Sequence, residues 1–290
     1  MTFNGFCFIL LSALFHVLWN SFLKVSEDKP SSVLLMMVVT VSGMFAYTVT
    51  MKQTADVFEL PVLISAFLAG FFFFLYQYLV ARAYGQGQLS QVYPLTVTAP
   101  LYIAVWSAYL LGEQISLLGG LGIVSIVIGA MTIQGSGFSL RPSRPPDGPR
   151  VNRGILCALG AAFFYSFGAI ADKVGVTSGQ VSAYTMDLCV FMLLFHLLRM
   201  SVHRQGGSVI RELKLHPGVT IGGGLVMMLS FITFRIGLQE VHASYASALR
   251  QVSTVFGLGI GFFVFKEPFG LRRVLSTMSI LAGAVLIKMG

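Results

Sequence analysis

Charge is what this sequence has least of: Asp, Glu, Lys and Arg make up 10% of its 290 residues, against about 25% in an ordinary soluble domain. Cysteine is as scarce, with three residues in the chain, which excludes a disulfide scaffold. Cys7, Cys157 and Cys189 all sit inside apolar runs, where a thiol reads as a small buried hydrophobe. So little charge also excludes a coiled coil. What fills the chain is apolar: 56% of it is hydrophobic and its mean hydropathy is +0.81, which excludes a disordered chain. A water-surrounded core holding that much apolar side chain would leave too few polar groups to cover its surface. The sequence therefore reads as an integral membrane protein with the lipid bilayer as its solvent. The net charge of +8 is scattered in ones to fours between apolar runs. That is the pattern of membrane flanks and argues against a nucleic-acid partner.

A helix needs about 20 apolar residues to cross a bilayer core. Such stretches fall near 4–23, 32–51, 61–81, 89–111, 116–134, 154–171, 181–201, 219–238, 243–265 and 272–289, predicting an all-α membrane protein of ten transmembrane helices. A closed barrel is excluded because its strands alternate apolar and polar, whereas these runs are apolar all round. The first run lacks a positive n-region and reads as a retained span, not a signal peptide. Residues 136–153 carry the Pro/Arg-rich run from Arg141 to Arg150, which cannot continue a helix. They divide the chain into repeats 1–135 and 154–290.

The halves resemble each other. A shift of 154 lays Ser90 on Ser244, Leu95 on Leu249 and Glu113 on Glu267; a shift of 149 lays Gly5 on Gly154, Phe15 on Phe164 and Lys24 on Lys173. The difference of five places an insertion near 202–217. Five spans per unit is an odd number, so the second copy is expected upside down. Inverted repeats are how secondary transporters build two access routes around one midplane site.

The stretch from Phe15 and His16 through Trp19 and Asn20 to Lys24, together with Ala83-Tyr84, Pro94, Pro100, Gly112-Glu113 and Lys266-Glu267-Pro268, resembles the drug/metabolite transporter superfamily in its ten-span form with two EamA-type domains. The likeness covers essentially the whole chain. It implies export of small metabolites, in bacteria across the cell inner membrane, without naming a substrate. It also implies both termini inside. Lys and Arg instead favour the odd-numbered connections, 14 against 4, which puts the termini outside.

An ionisable residue inside a span is a functional candidate by default. Asp187 and Arg250 are the two strongest. Arg250 would hold a substrate carboxylate through its planar fork, and Asp187 would couple a proton or meet a substrate ammonium. Pairing with each other as packing elements is the alternative. Ser12, His16, Trp19 and Asn20 share one helical face; His16 also suits a proton relay, and packing against a neighbouring helix is the equal alternative. Tyr93, Tyr102 and Ser253 are taken as further cavity-lining candidates, alongside Tyr76, Trp106 and Tyr184. Pro94 and Pro100 are read as kinks within one span, Glu113 and Glu267 as caps or interfacial gates, and His203 and His216 as solvated loop residues.

No HExxH, GxSxG or Walker-type loop occurs, and no Cys/His cluster has metal-ligand spacing. The expectation is thus a secondary exporter of a small carboxylate-bearing metabolite, an amino acid or opine/metallophore-like compound, with protons as the candidate coupling ion. It needs no cofactor and no metal, and works as a monomer or homodimer. The runner-up is a multidrug or cation exporter, and an intramembrane enzyme ranks below both.

Overall fold

The computed structural model describes residues 1–54, 57, 59–87, 89–134, 153–202, 206–263, 266 and 270–290. Among the described residues there are thirteen α-helices and no strand. They are α1 (Phe3–Val25), α2 (Lys29–Thr50), α3 (Leu60–Gln86), α4 (Leu89–Thr96), α5 (Ala99–Leu110), α6 (Leu117–Gln134), α7 (Arg153–Ser178), α8 (Val181–Val202), α9 (Gly206–Leu215), α10 (Pro217–Glu240), α11 (Ala243–Arg250), α12 (Ser253–Phe263) and α13 (Leu271–Met289). Six of them, α1, α2, α3, α7, α8 and α10, are long and apolar enough to cross a membrane, and Leu117–Ile133 is a shorter apolar helix. Of the linker expected at 136–153, only Arg153 is described; His203, Glu267 and Pro268 lie outside the described residues.

Two segments expected as single spans are each two helices. Between α4 and α5 the cause is proline: Pro94 lies inside α4 and Pro100 opens α5, so neither nitrogen donates to the carbonyl four residues back. Between α11 and α12 there is no proline. The backbone tightens there to three-residue spacing, with Gln251 N–H donating to Ala248 O (2.9 Å) and Val252 N–H to Leu249 O (3.0 Å). The Thr254 hydroxyl then satisfies Gln251 O at 2.7 Å. Adding 154 to both ends of α4 gives α11, and adding it to the first residues of α5 and α6 gives those of α12 and α13.

The chain forms two compact units, each drawing on both halves of the sequence. Unit 1 comprises Met1–Phe74 and Gly168–His242. In it α1 runs antiparallel to α10, joined by a reciprocal pair: Ser12 Oγ donates to Ser230 O (2.8 Å) and Ser230 Oγ to Ser12 O (3.2 Å). Its core packs Met44, Ala183, Met186, Cys189 and Ile232 together. A ladder of rings, Phe67, Phe74 and Phe195, joins α3 to α8.

Unit 2 comprises Leu75–Phe167 and Ala243–Gly290. Here α6 and α13 cross antiparallel about one point, where Ser125 Oγ donates to Ser279 O (2.9 Å) and Ser279 Oγ to Ser125 O (2.8 Å). Glycine permits the crossing: a Cβ on Gly122 would stand 2.7 Å from Gly283 O, and one on Gly283 2.6 Å from Gly122 O. The Glu113 carboxylate caps α11, accepting from Ala243 N–H (2.6 Å) and the Ser244 hydroxyl (3.1 Å). Acid at a helix N-terminus satisfies otherwise unpaired N–H groups and meets the positive end of the dipole.

Candidate functional site

In unit 1 the N-terminal half of α8 is buried throughout, from Ser182 to Cys189. Asp187 is 5% exposed, and its Oδ2 has no hydrogen-bond partner among the described residues. Such an oxygen is costly in an apolar interior.

One turn away on α8, Tyr184 is fully buried, its ring packed where a Cβ on Gly175 would collide with it. The Tyr184 hydroxyl is within electrostatic range of a second acid, Asp172, and of Arg235. Those two form a buried ion pair, with side chains 1% and 4% exposed. Neither Arg235 nor Asp172 was singled out from the sequence. In the fold Arg235 sits well inside α10 and reaches α7. The missed signal was Asp172 one residue beyond an expected span end; no sequence pattern pairs residues 63 positions apart.

Beside this pair, Lys173 turns its ammonium onto the end of α10, donating to Leu238 O (2.7 Å) and Val241 O (3.0 Å). A cation there completes carbonyls that the helix leaves open.

The expected polar face of α1 is present in unit 1. Asn20 Nδ2 donates to His16 O (2.7 Å) and lies 3.4 Å from His16 Nε2, and the His16 and Trp19 rings meet edge-on at 5.4 Å. Trp19 Nε1 is buried without a hydrogen-bond partner among the described residues. His196 is buried edge-on against Phe74, at 5.6 Å. His216, expected in a solvated loop, instead starts α10 as its N-cap, with Nε2 buried.

Unit 2 holds the remaining candidates. Arg250 is the last residue of α11 and Ser253 the first of α12, so both flank the break. Arg250 is within electrostatic range of Tyr76, as are the hydroxyls of Tyr84, Tyr93 and Tyr165. The rings of Tyr76 and Tyr165 meet at 4.8 Å. Tyr102 packs on Phe163 at 6.1 Å, and Trp106 stacks on Phe167 at 5.4 Å, its Nε1 buried with no hydrogen-bond partner among the described residues. A guanidinium at a helix end within electrostatic range of the Tyr76 hydroxyl is a fork-shaped donor suited to an oxyanion. No group of three or more His, Cys, Asp or Glu is placed to hold a metal among the described residues.

Long apolar helices with broken backbone and polar groups in their interior define a polytopic membrane protein with internal sites. The chain belongs to the EamA-like transporter family, whose pattern matches it twice, over residues 3–134 and again over 152–289. An uncharacterized transporter of Methanothermobacter thermautotrophicus is 24% identical over 195 residues, an alignment covering 64% of this chain and 53% of that protein. The chain thus spans about half the length of the curated relative it matches. A solved crystal structure superposes on 99% of this chain and 96% of its own with a TM-score of 0.75 at 18% identity; that likeness speaks to the fold.

Proposed function

We propose that the protein is a secondary transporter that exports a small carboxylate-bearing metabolite, an amino acid or opine-like compound, across the bacterial inner membrane. The observation that carries this reading is Arg250, set where the helical path breaks between α11 and α12 and within electrostatic range of Tyr76. Interrupted helices inside apolar segments are where secondary transporters build their solute sites. Within unit 2, Ser253, Tyr93 and Tyr102 complete the proposed carboxylate site; His16, Trp19 and Asn20 are a separate proposed polar group within unit 1. Asp187, buried with an unpartnered oxygen, is the proposed proton carrier.

The scaffold in this reading is ten spans in two inverted five-helix repeats, α4–α5 and α11–α12 each counting as one. What supports it is the recurrence of helix bounds at an offset of 154 and the antiparallel crossing of the equivalent helices α6 and α13, whose paired serines are themselves 154 apart. Helices related by a simple tandem repeat would run parallel.

The test is uptake into proteoliposomes of labelled amino acids and carboxylated metabolites, with and without an imposed pH gradient. A guanidinium–carboxylate bond contributes about 1.5–3 kcal/mol, so Arg250→Ala is expected to raise the apparent KM roughly 10- to 100-fold with insertion unchanged. Asp187→Asn is expected to abolish the response to the gradient. Equal transport by Arg250→Ala would end the carboxylate reading. A cation exporter is the second reading, favoured by Asp187 Oδ2, which has no hydrogen-bond partner among the described residues; movement of cationic dyes alone would establish it.

A further inference from the structure

The second repeat departs from the first at one described element. Residues 51–59 join α2 to α3, whereas the corresponding connection between α8 and α10 is 203–216, five residues longer, and contains α9. The repeat does not require this helix, so its surface has to be explained by something else.

α9 is anchored by a buried acid. Glu212, 2% exposed, accepts from Asp28 N–H (3.1 Å) and from the Ser32 hydroxyl (2.8 Å) at the start of α2, and Ser208 meets Ser31 at 2.9 Å. At about 100° per residue, Ser208 and Glu212 share the face turned to α2. Val209, Ile210 and Leu213 then fall on one flank, and Arg211 and Lys214 on the other. Ile210 and Leu213 are 61% and 43% exposed, and the Arg211 side chain 76%. Among the described residues around this helix Lys29 and Lys214 are exposed and Asp28 is half-buried, while the exposed Glu27 lies 3.5 Å from Arg211.

We propose that α9 lies in the plane of the membrane surface and that Arg211 and Lys214 hold the phosphate of an anionic phospholipid headgroup. An apolar flank beside a basic one is what an in-plane helix presents: the first enters the acyl boundary and the second meets the headgroups. The location agrees, because α9 joins the ends of two membrane-length helices and its anchor fixes it at their rim. The excess of exposed cation over acid selects an anionic headgroup over a zwitterionic one. The proposal does not depend on the identity of the transported solute.

The test uses the full-length protein taken from bilayers of phosphatidylcholine mixed with phosphatidylglycerol, with retained lipid identified by native mass spectrometry. A surface cation contributes about fivefold to anionic-lipid binding, so Arg211→Gln/Lys214→Gln is expected to lose phosphatidylglycerol about 25-fold and phosphatidylcholine hardly at all. Unchanged phosphatidylglycerol retention would overturn the proposal. A second measurement places a photoreactive phenylalanine analogue at position 213. A phospholipid adduct is expected; cross-linking to a second copy of the chain, or no adduct, would overturn it.

Discussion

Arg235 and Asp172 meet at two points, Nε to Oδ1 at 2.9 Å and Nη2 to Oδ2 at 3.2 Å, while Nη1 of the same guanidinium donates to Phe231 O at 3.2 Å. Both charges are thus matched within unit 1, with α7 tied to α10 by a planar fork that lysine has no means to reproduce. The arrangement separates this pair from Asp187, which is also buried and whose Oδ2 has no hydrogen-bond partner among the described residues.

Removing one member of a buried ion pair strands the other, at a cost of about 3–5 kcal/mol. Asp172→Asn and Arg235→Gln are each expected to lower the thermal stability of the detergent-solubilised protein sharply. The double change Asp172→Leu/Arg235→Met, which strands nothing, is expected to recover most of that loss. A double variant no more stable than either single would show that the pair acts through something other than charge matching.

The α6–α13 crossing leaves no room for a side chain. Gly122→Ala would press a methyl to 2.7 Å from Gly283 O and 3.0 Å from Ile287 N, and backbone cannot step aside as a flexible side chain does. The expected loss is about 1–3 kcal/mol, read as a lowered melting midpoint. Gly85, in α3, has nothing within 4 Å of its would-be Cβ. Gly85→Ala is expected to be neutral or to stabilise by up to about 1 kcal/mol, since alanine is the better helix former.

Asp28 precedes α2 outside the apolar segments and accepts from the Ser31 hydroxyl at 2.7 Å. The Ser31 bond, helped by Ser208 and opposed by partial burial, holds its carboxyl below the ordinary value. A carboxylate depressed in the folded state contributes stability above its unfolded pKa, near 3.9, and loses it as pH falls through the lowered folded value. Melting measured from neutral pH down to pH 3 is expected to show this loss. Ser31→Ala is expected to shrink the acid-sensitive component while leaving the neutral-pH slope unchanged.

Much of this architecture was legible in the chain because a bilayer imposes a length and an apolarity that composition shows directly. Each of the ten expected segments coincides with a helix or with a helix pair, and the offset of 154 read from weak identities reappears in helix ends. The first interruption was legible too, since Pro94 and Pro100 carry it in their chemistry. The second was not: Gln251 and Val252 are ordinary helix residues, and the break there depends on hydrogen bonds chosen in the folded chain. α9 was read only as an insertion, because ten residues of mixed character become a helix once Glu212 finds the start of α2.

The sequence by itself determined the solvent, the helical class and the doubled plan, since these follow from how much apolar chain there is and how it recurs. Only the tertiary structure decided which buried charges are matched. Charge matching depends on contacts across long separations, 63 residues for Arg235 and Asp172, where hydropathy carries no information. It also decided that each compact unit mixes both halves, because close packing follows which surfaces fit and not the order in which they are synthesised.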